Sequence, residues 1–326
     1  MDLDLGQARA FTAIASHLHF GRAAQELSIT QQALSKRLAR LEEALGVTLV
    51  LRDGRTVELT DAGRRFLDPA TAAIAAGDLA IRAVRLGAPP LRLDVWGHLF
   101  APMRTVSQAL ERCPGLAPEV GFARDLPSAA AALLRGESDL GFGRVHAFGP
   151  EWDTALTHRL VRLEPVDAVL GTDHPLAGRD RLRPAELASS TLVCPTAIDR
   201  LEFLQRFAER FGPAVESGGP NLGLDHLMAR IAALPGAFTL YPADAPLPAH
   251  TDGLRTVPLV DPTPLYAWSL LWRTGDRHPG MDTMLAGFAE AGRAARWLEY
   301  RPGEDWLPDA DADAAGLLPP IGAGSR

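Results

Sequence analysis

Between Phe20 and Leu45 the chain reads FGRAAQELSITQQALSKRLARLEEAL, two short amphipathic helices joined by a turn that forces them to cross. In the first, Ala23, Ala24 and Leu27 share one face, and the alanines let a second helix lie close over it. The turn runs through Ser28 and Ile29, with Ile29 placed to plug the space between the helices. Thr30 is positioned to N-cap the second helix by accepting a hydrogen bond from a free amide of its first turn. Leu34, Leu38, Leu41 and Leu45 then recur at helical spacing as a buried stripe. The opposite face carries Gln31, Gln32, Ser35, Lys36, Arg37 and Arg40. Glutamine, serine and cationic side chains on the first turns of a helix suit the donors and acceptors of a DNA major groove. A solvated polar face on an ordinary helical hairpin competes with that reading, and the next residues tip the balance.

Val47 to Leu51 reads as a strand, Asp53-Gly54 as a two-residue hairpin turn and Thr56 to Leu59 as the returning strand. Arg52 and Arg55 flank the turn and make its tip basic, a wing able to touch phosphate or the minor groove. Thr60 then caps a long alanine-rich helix, TDAGRRFLDPATAAIAAGDLAIRAVRLG, in which Pro69 should kink the backbone or cost it a hydrogen bond. Its apolar positions Phe66, Ala70, Ile74, Ile81 and Val84 read as a dimerisation seam. The alternative is packing of that helix onto the chain's own second domain. Helical hairpin, wing and long helix in this order describe a winged helix-turn-helix, mainly α, with a linker helix.

At 326 residues the chain exceeds one ordinary domain. Its formal net charge of −7 is unusual for a nucleic-acid binder, but it averages over domains. Acids crowd the end of the chain at Glu304, Asp305, Asp309, Asp311 and Asp313, whereas Arg22, Lys36, Arg37, Arg40, Arg52 and Arg55 give the winged unit a basic face. The polar N-terminus and the lack of an apolar run of membrane-spanning length predict neither signal peptide nor anchor, hence a cytoplasmic protein. Cys113 and Cys194 form no disulfide framework and fit a reducing compartment.

The Leu86-Gly87-Ala88-Pro89-Pro90 stretch marks a boundary. We divide the chain into a DNA-binding unit (1–60), a linker helix (61–87), an α/β domain (88–301) and a tail (302–326) whose Pro, Gly, Asp and Ala content reads as disordered. In the α/β domain, strands at Leu91–Val95, Ala117–Phe122 and Asp139–Phe142 alternate with helices at Met103–Glu111 and Pro127–Leu134. A second set follows, with strands at Leu192–Cys194, Ala237–Tyr241 and Leu265–Trp272 and helices at Arg200–Phe211, Leu224–Ala233 and Met281–Trp297. Alternation of this kind argues for parallel sheets in two lobes with a cleft between them. Enzyme chemistry finds little support. His98, His146, His158, His174 and His226 are scattered without metal-ligand spacing, and no nucleophile elbow or phosphate loop is present. No metal and no cofactor are expected. Both cysteines precede proline and read as structural thiols, although Cys194 ends a strand facing the predicted cleft.

Residues 5 to 67 resemble the N-terminal domain of LysR-type transcriptional regulators, through FGRAAQELSITQQALSKRLARLEEALGVTL and RDGRTVELTDAGRRFL. Gln32 stands where that family usually has proline or a small residue, and Leu51 where an acid is common. The second domain resembles the family more weakly, in LRLDVWGHLFAPM, in LLRGESDLGFG with Gly136 and Asp139, in HPLAG and in ALPGAFTLYP. The resemblance implies a two-lobed, periplasmic-binding-protein-like effector domain, a homo-oligomer (dimer or tetramer), double-stranded DNA as partner, RNA polymerase as a further one, and a small molecule between the lobes. It places Trp96, His98 and Leu99 of the first loop, Val145 beside Arg144 in the crossover, Thr196 and Ile198, and Thr239 around that molecule. Relatives often carry a hydroxyl on the first loop; here an indole and an imidazole suggest a flatter, less anionic ligand bonded by His98, or a cleft simply filled by Trp96. A ligand-independent regulator with a structural second domain is the alternative.

Overall fold

The structure is a computed structural model and describes residues 3–53, 56–86, 89–146, 152, 154–218, 220–248, 251, 253–276 and 278–314. Helices α1 (Leu5–His17), α2 (Phe20–Glu26) and α3 (Gln31–Leu45) form a three-helix unit. Thr30 Oγ1 accepts the Ala33 N–H at 3.1 Å and starts α3, while Ser28 turns the chain at φ 53°. Leu34, Leu38 and Leu41 are buried in one cluster with Phe11 and Ile14 of α1 and Ala23 and Ala24 of α2. Each such leucine contributes roughly 1.5–3 kcal/mol on leaving water. Ile29 packs against the same cluster, as its place in the turn suggests.

Strands β1 (Val50–Asp53) and β2 (Thr56–Leu59) make the wing, and helix α4 (Asp61–Leu86) follows. Val50 lies opposite Leu59 and Asp53 opposite Thr56. Asp53 is therefore a strand residue, so the loop starts one residue later than the Asp53-Gly54 turn read from the sequence, and β1 starts at Val50 rather than Val47. Two side chains tie the wing to its neighbours. Glu42 of α3 accepts the backbone N–H groups of Leu49 at 2.7 Å and Val50 at 3.1 Å. From the other side the Thr60 hydroxyl donates to the Thr48 carbonyl at 2.7 Å and accepts the Gly63 N–H at 2.9 Å. Gly63 must be glycine because a Cβ there would lie 2.2 Å from the Leu49 carbonyl oxygen.

Helix α4 runs through Pro69 as one element. Its first half belongs to the N-terminal core. Ala70 is fully buried, Phe66, Leu67 and Ile74 pack against the cluster, and the Phe66 and Phe11 rings stand 5.4 Å apart. Arg9 of α1 pairs with Asp78 at 2.5 Å. The winged unit thus extends well past residue 60. Ala70 cannot line a seam with another chain, and Phe66 and Ile74 are already partly used. The helix also touches the second domain, where a Cβ on Gly136 would meet that of Ala75 at 2.6 Å.

The second domain comprises β3 (Arg92–Val95), α5 (Met103–Leu110), β4 (Glu119–Phe122), α6 (Leu126–Leu134), β5 (Leu140–Gly143), β6 (Leu156–Gly171), β7 (Thr191–Val193), α7 (Glu202–Phe211), β8 (Ala214–Glu216), α8 (Leu224–Ala233), β9 (Ala237–Pro242), β10 (Leu254–Val257), β11 (Thr263–Arg273), α9 (Met281–Ala295), β12 (Asp305–Trp306) and α10 (Asp309–Ala314). One lobe holds the order β4-β3-β5, the other β8-β7-β9, and both are joined through β11 and β6. Within each lobe the three short strands are parallel, but β6, β10 and β11 join antiparallel. The sheets are therefore mixed, not parallel throughout, because β6 and β11 each cross from one lobe to the other. Residues 302–314, expected to be disordered, are folded: β12 pairs with β11, and Leu307 and Ala312 pack with Leu163, Leu265 and Ala267.

The Glu42 clasp gives a direct test. Glu42→Ala leaves the Leu49 and Val50 amides without their acceptor and is expected to destabilise the N-terminal unit by about 1–3 kcal/mol, read as a lower midpoint in chemical denaturation.

Candidate nucleic-acid interface and inter-lobe site

The face of α3 opposite its leucines is open. Gln31, Gln32, Lys36 and Arg40 are exposed, and Ser35 and Arg37 are partly so. Helical spacing makes this one continuous polar surface, and burial of Leu34, Leu38 and Leu41 on the other side leaves it facing outward. Arg22 of α2 is exposed as well. Arg55 and the side chains of Arg52, Ile81 and Val84 lie outside the described residues.

The predicted effector residues divide between two faces of the sheet. Along β3, Leu93 and Val95 enter the main core, so Trp96 turns to the other side, beneath α6. There it is 4% exposed and clusters with Leu126, Ala129, Val145 and Leu271. Its Nε1 donates to the Arg144 carbonyl at 3.1 Å. Gly141 and Gly143 of β5 leave the flat space the indole occupies, and a Cβ on Gly143 would lie 2.0 Å from the ring. Trp96 and Val145 are core residues of the first lobe. His98 is exposed, 5.3 Å from the Phe122 ring, with Nε2 3.4 Å from the Ala123 carbonyl.

Leu99 does reach between the lobes. It packs both on the main core and on Val193, Leu227, Ile231 and Ala237 of the second lobe. Its short turn, His98–Phe100, lies against β9, the strand of Thr239. Thr239 is fully buried, with no hydrogen-bond partner for its hydroxyl among the described residues. Thr196 and Ile198 are half-buried. The first loop's inter-lobe aromatic is Phe100, which stacks on Tyr266 at 4.1 Å and meets Phe203 of α7 edge-on at 5.7 Å. One apolar cluster consequently runs from Leu93 and Phe142 in one lobe to Leu192 and Phe238 in the other.

Two buried ion clusters clasp the lobes. Arg104 of α5 donates to the Asp244 carbonyl at 2.7 Å and to Glu164 at 2.7 Å. Arg162 reaches Asp244 at 2.8 Å, and Trp268 Nε1 donates to Glu164 at 2.7 Å. Burial pushes the Glu164 carboxyl up to about 7, against the pull of Arg162 and Arg104. At the second cluster Arg144 leaves β5 at 3% exposure and binds Glu202 of α7 and Asp311 of α10. A cavity of about 390 Å³ lies elsewhere, between β6 and α9, bordered by Arg159, Val161, Phe288 and Leu298.

Comparison with known proteins accounts for both units. Residues 5–64 match the bacterial regulatory helix-turn-helix model of the lysR family, and residues 97–293 match the LysR substrate-binding domain. The chain belongs to the LysR family. It is 36% identical over 201 residues to the uncharacterized HTH-type transcriptional regulator YnfL of Escherichia coli, covering 59% of this chain and 66% of that one. The chain thus spans just under two thirds of this relative's length. IlvR of Caulobacter vibrioides is 31% identical over 306 residues, 90% of this chain and 99% of its own. Among solved structures, full-length OxyR C199D from Pseudomonas aeruginosa superposes with a TM-score of 0.62 at 19% identity, over 89% of this chain and 97% of that one. CbnR complexed with its target DNA gives 0.56 at 20% identity, over 90% and 100%. At these identities the structures speak for the fold alone.

Within this LysR-type domain Cys194 faces the core and not the cleft. It is fully buried, and burial pushes its thiol up to about 12, so almost no thiolate is present near neutral pH. The residues that sequence reasoning missed are Phe100, Glu202, Tyr266 and Asp311. Only Phe100 carried a local signal, as the large apolar residue after Leu99. Gly143→Ala is expected to drive a methyl into the Trp96 ring and destabilise the second domain by about 1–3 kcal/mol, measurable as a drop in its thermal midpoint.

Proposed function

We propose that this chain is a sequence-specific DNA-binding transcriptional regulator of the LysR type, acting in the cytoplasm as a homo-oligomer and responding to a small molecule held between its lobes. The observation that carries the DNA reading is the open face of α3 held beside a wing by Glu42 and Thr60. Gln31, Gln32, Ser35 and Lys36 are the base readers, and Arg37, Arg40, Arg52 and Arg55 the phosphate contacts. Two-fold symmetry calls for inverted half-sites one helical turn or a multiple apart. No helix among the described residues is long and apolar enough to cross a membrane. Lobe movement would change the angle between DNA-binding units, and with it the access of RNA polymerase. Leu99, Thr196, Ile198 and Thr239 remain the effector contacts in this reading. Trp96 and Val145 act behind them. The filled inter-lobe core, with Phe100 stacked on Tyr266, favours the alternative of a ligand-independent regulator.

DNA titrations at several salt concentrations test the first part. Gln32→Ala or Ser35→Ala should lose about 1–3 kcal/mol of discrimination between cognate and mutated sites. Arg52→Ala or Arg55→Ala should weaken all sequences alike and lower the salt slope by roughly 0.9 per lost contact. Exchange of these two behaviours would reverse the roles. For assembly, Ile74→Asp confounds folding with association, since Ile74 packs in its own domain. Ile81→Asp and Val84→Asp probe the rest of the proposed seam. Both should give monomers with reduced operator affinity, and a mutant still dimeric by light scattering removes this seam.

A further inference from the structure

The Arg144 guanidinium is the meeting point of four elements that are remote in sequence. It leaves β5 of the first lobe, lies 5.7 Å from the Phe203 ring and 5.9 Å from the Tyr266 ring, and pairs with Glu202 of the second lobe. Its fourth neighbour comes from helix α10. Arg144 Nε donates to Asp311 Oδ2 at 2.9 Å, and Nη2 stands 2.8 Å from the same oxygen. Asp311 is 2% exposed, and its second oxygen, Oδ1, is buried without a hydrogen bond among the described residues. A carboxylate thus sits between the lobes among aromatic rings, held through one oxygen.

The element delivering it is weakly built. Helix α10 is the six residues DADADA, too short to be stable alone. Ala312 is its apolar contribution to the cluster on β6 and β11, while the neighbouring anchors Trp306 and Leu307 precede it. Trp306 stands 5.2 Å from Phe211 and 5.8 Å from Phe203, so the chain stays attached at that point if the helix leaves. Burial pushes the Asp311 carboxyl up to about 6, desolvation outweighing the attraction of Arg144. Docking of α10 therefore works against its own charge.

We propose that Arg144 is a carboxylate-binding site whose built-in, displaceable ligand is Asp311, so that a free carboxylate with a flat apolar body competes with α10 for the same guanidinium. Arg144 offers the charge, Phe203 and Tyr266 the flat walls, and a ligand carboxylate can use the bonding that Asp311 Oδ1 leaves unmade. Because Arg144 also holds Glu202, occupancy of this site bears on how the lobes are joined. The inference rests on the effector-sensing reading above.

Acetate and benzoate, the simplest aliphatic and aromatic carboxylates, serve as probes in calorimetric titrations of the full chain. Benzoate should bind Asp311→Ala roughly tenfold or more tightly than the wild type. Asp311→Asn, which keeps the shape and removes the charge, should show a gain in the same direction. Arg144→Gln in the Asp311→Ala background should abolish binding, and acetate should bind more weakly than benzoate throughout. Saturating benzoate should speed hydrogen exchange in residues 309–314 of the wild type. Equal benzoate affinity in wild type and both Asp311 variants, or binding that survives loss of Arg144, overturns the proposal, and acetate matching benzoate overturns the flat-body requirement. Operator binding in the same samples separates the two readings. Tail competition without any change in DNA affinity retains this site and removes effector control. A DNA response to benzoate that ignores Asp311 does the reverse.

Discussion

Everything in the second domain hangs on the antiparallel pairing of β6 with β11. The ladder runs from Leu156 opposite Arg273 to Leu265 opposite Pro165, with a register shift between Trp268 and Ser269. The far end of β6 continues into the second lobe and pairs with β9 and β10, while β11 passes back to β5 in the first. Backbone amides in such a ladder are satisfied only while it stays intact, so pulling the lobes apart would strand buried donors and acceptors. The inexpensive movement is a twist about the shared strands. A bulge concentrates twist, and this one lies along the stretch that joins the lobes.

The ion clusters on either side of that ladder decide which twists are compatible with the fold. Arg104 with Asp244 and Arg144 with Glu202 each join a first-lobe cation to a second-lobe acid. The Arg144 pair is buried and adds little net stability, because desolvation offsets most of the attraction, yet breaking it leaves an uncompensated charge; the Arg104 pair is more open, with the Asp244 side chain half exposed. They act as registration marks for one relative placement of the lobes.

The winged unit was legible because its information is local. Leucines at helical spacing, a capping threonine and a short hairpin all specify contacts within a few turns, and each formed near its expected place, with the turn shifted by one residue and the first wing strand starting at Val50 instead of Val47. Strand β6 was not legible. Its middle carries Arg159, Arg162 and Glu164, which break any apolar alternation, and the partners that make their burial tolerable, Arg104 and Asp244, lie 60 and 82 residues away. The tail failed for the same reason: an Asp, Ala, Gly and Pro composition describes a chain without a partner, and the partner is Arg144. Trp96 was a subtler case. Strand alternation from Leu93 and Val95 already sends it to the far face, and the glycines at 141 and 143 mark the space that receives it. A loop position defined by family likeness outweighed that parity.

In the proposed DNA reading, the double anchoring of the wing sets what a bound duplex must do. Glu42 fastens the wing to the third helix and Thr60 fastens it to the fourth, so the span between the open face of the third helix and the hairpin is a fixed gauge. A gauge cannot adapt to a groove of the wrong width. The duplex has to yield instead, and base steps that no side chain touches then enter the affinity through their stiffness.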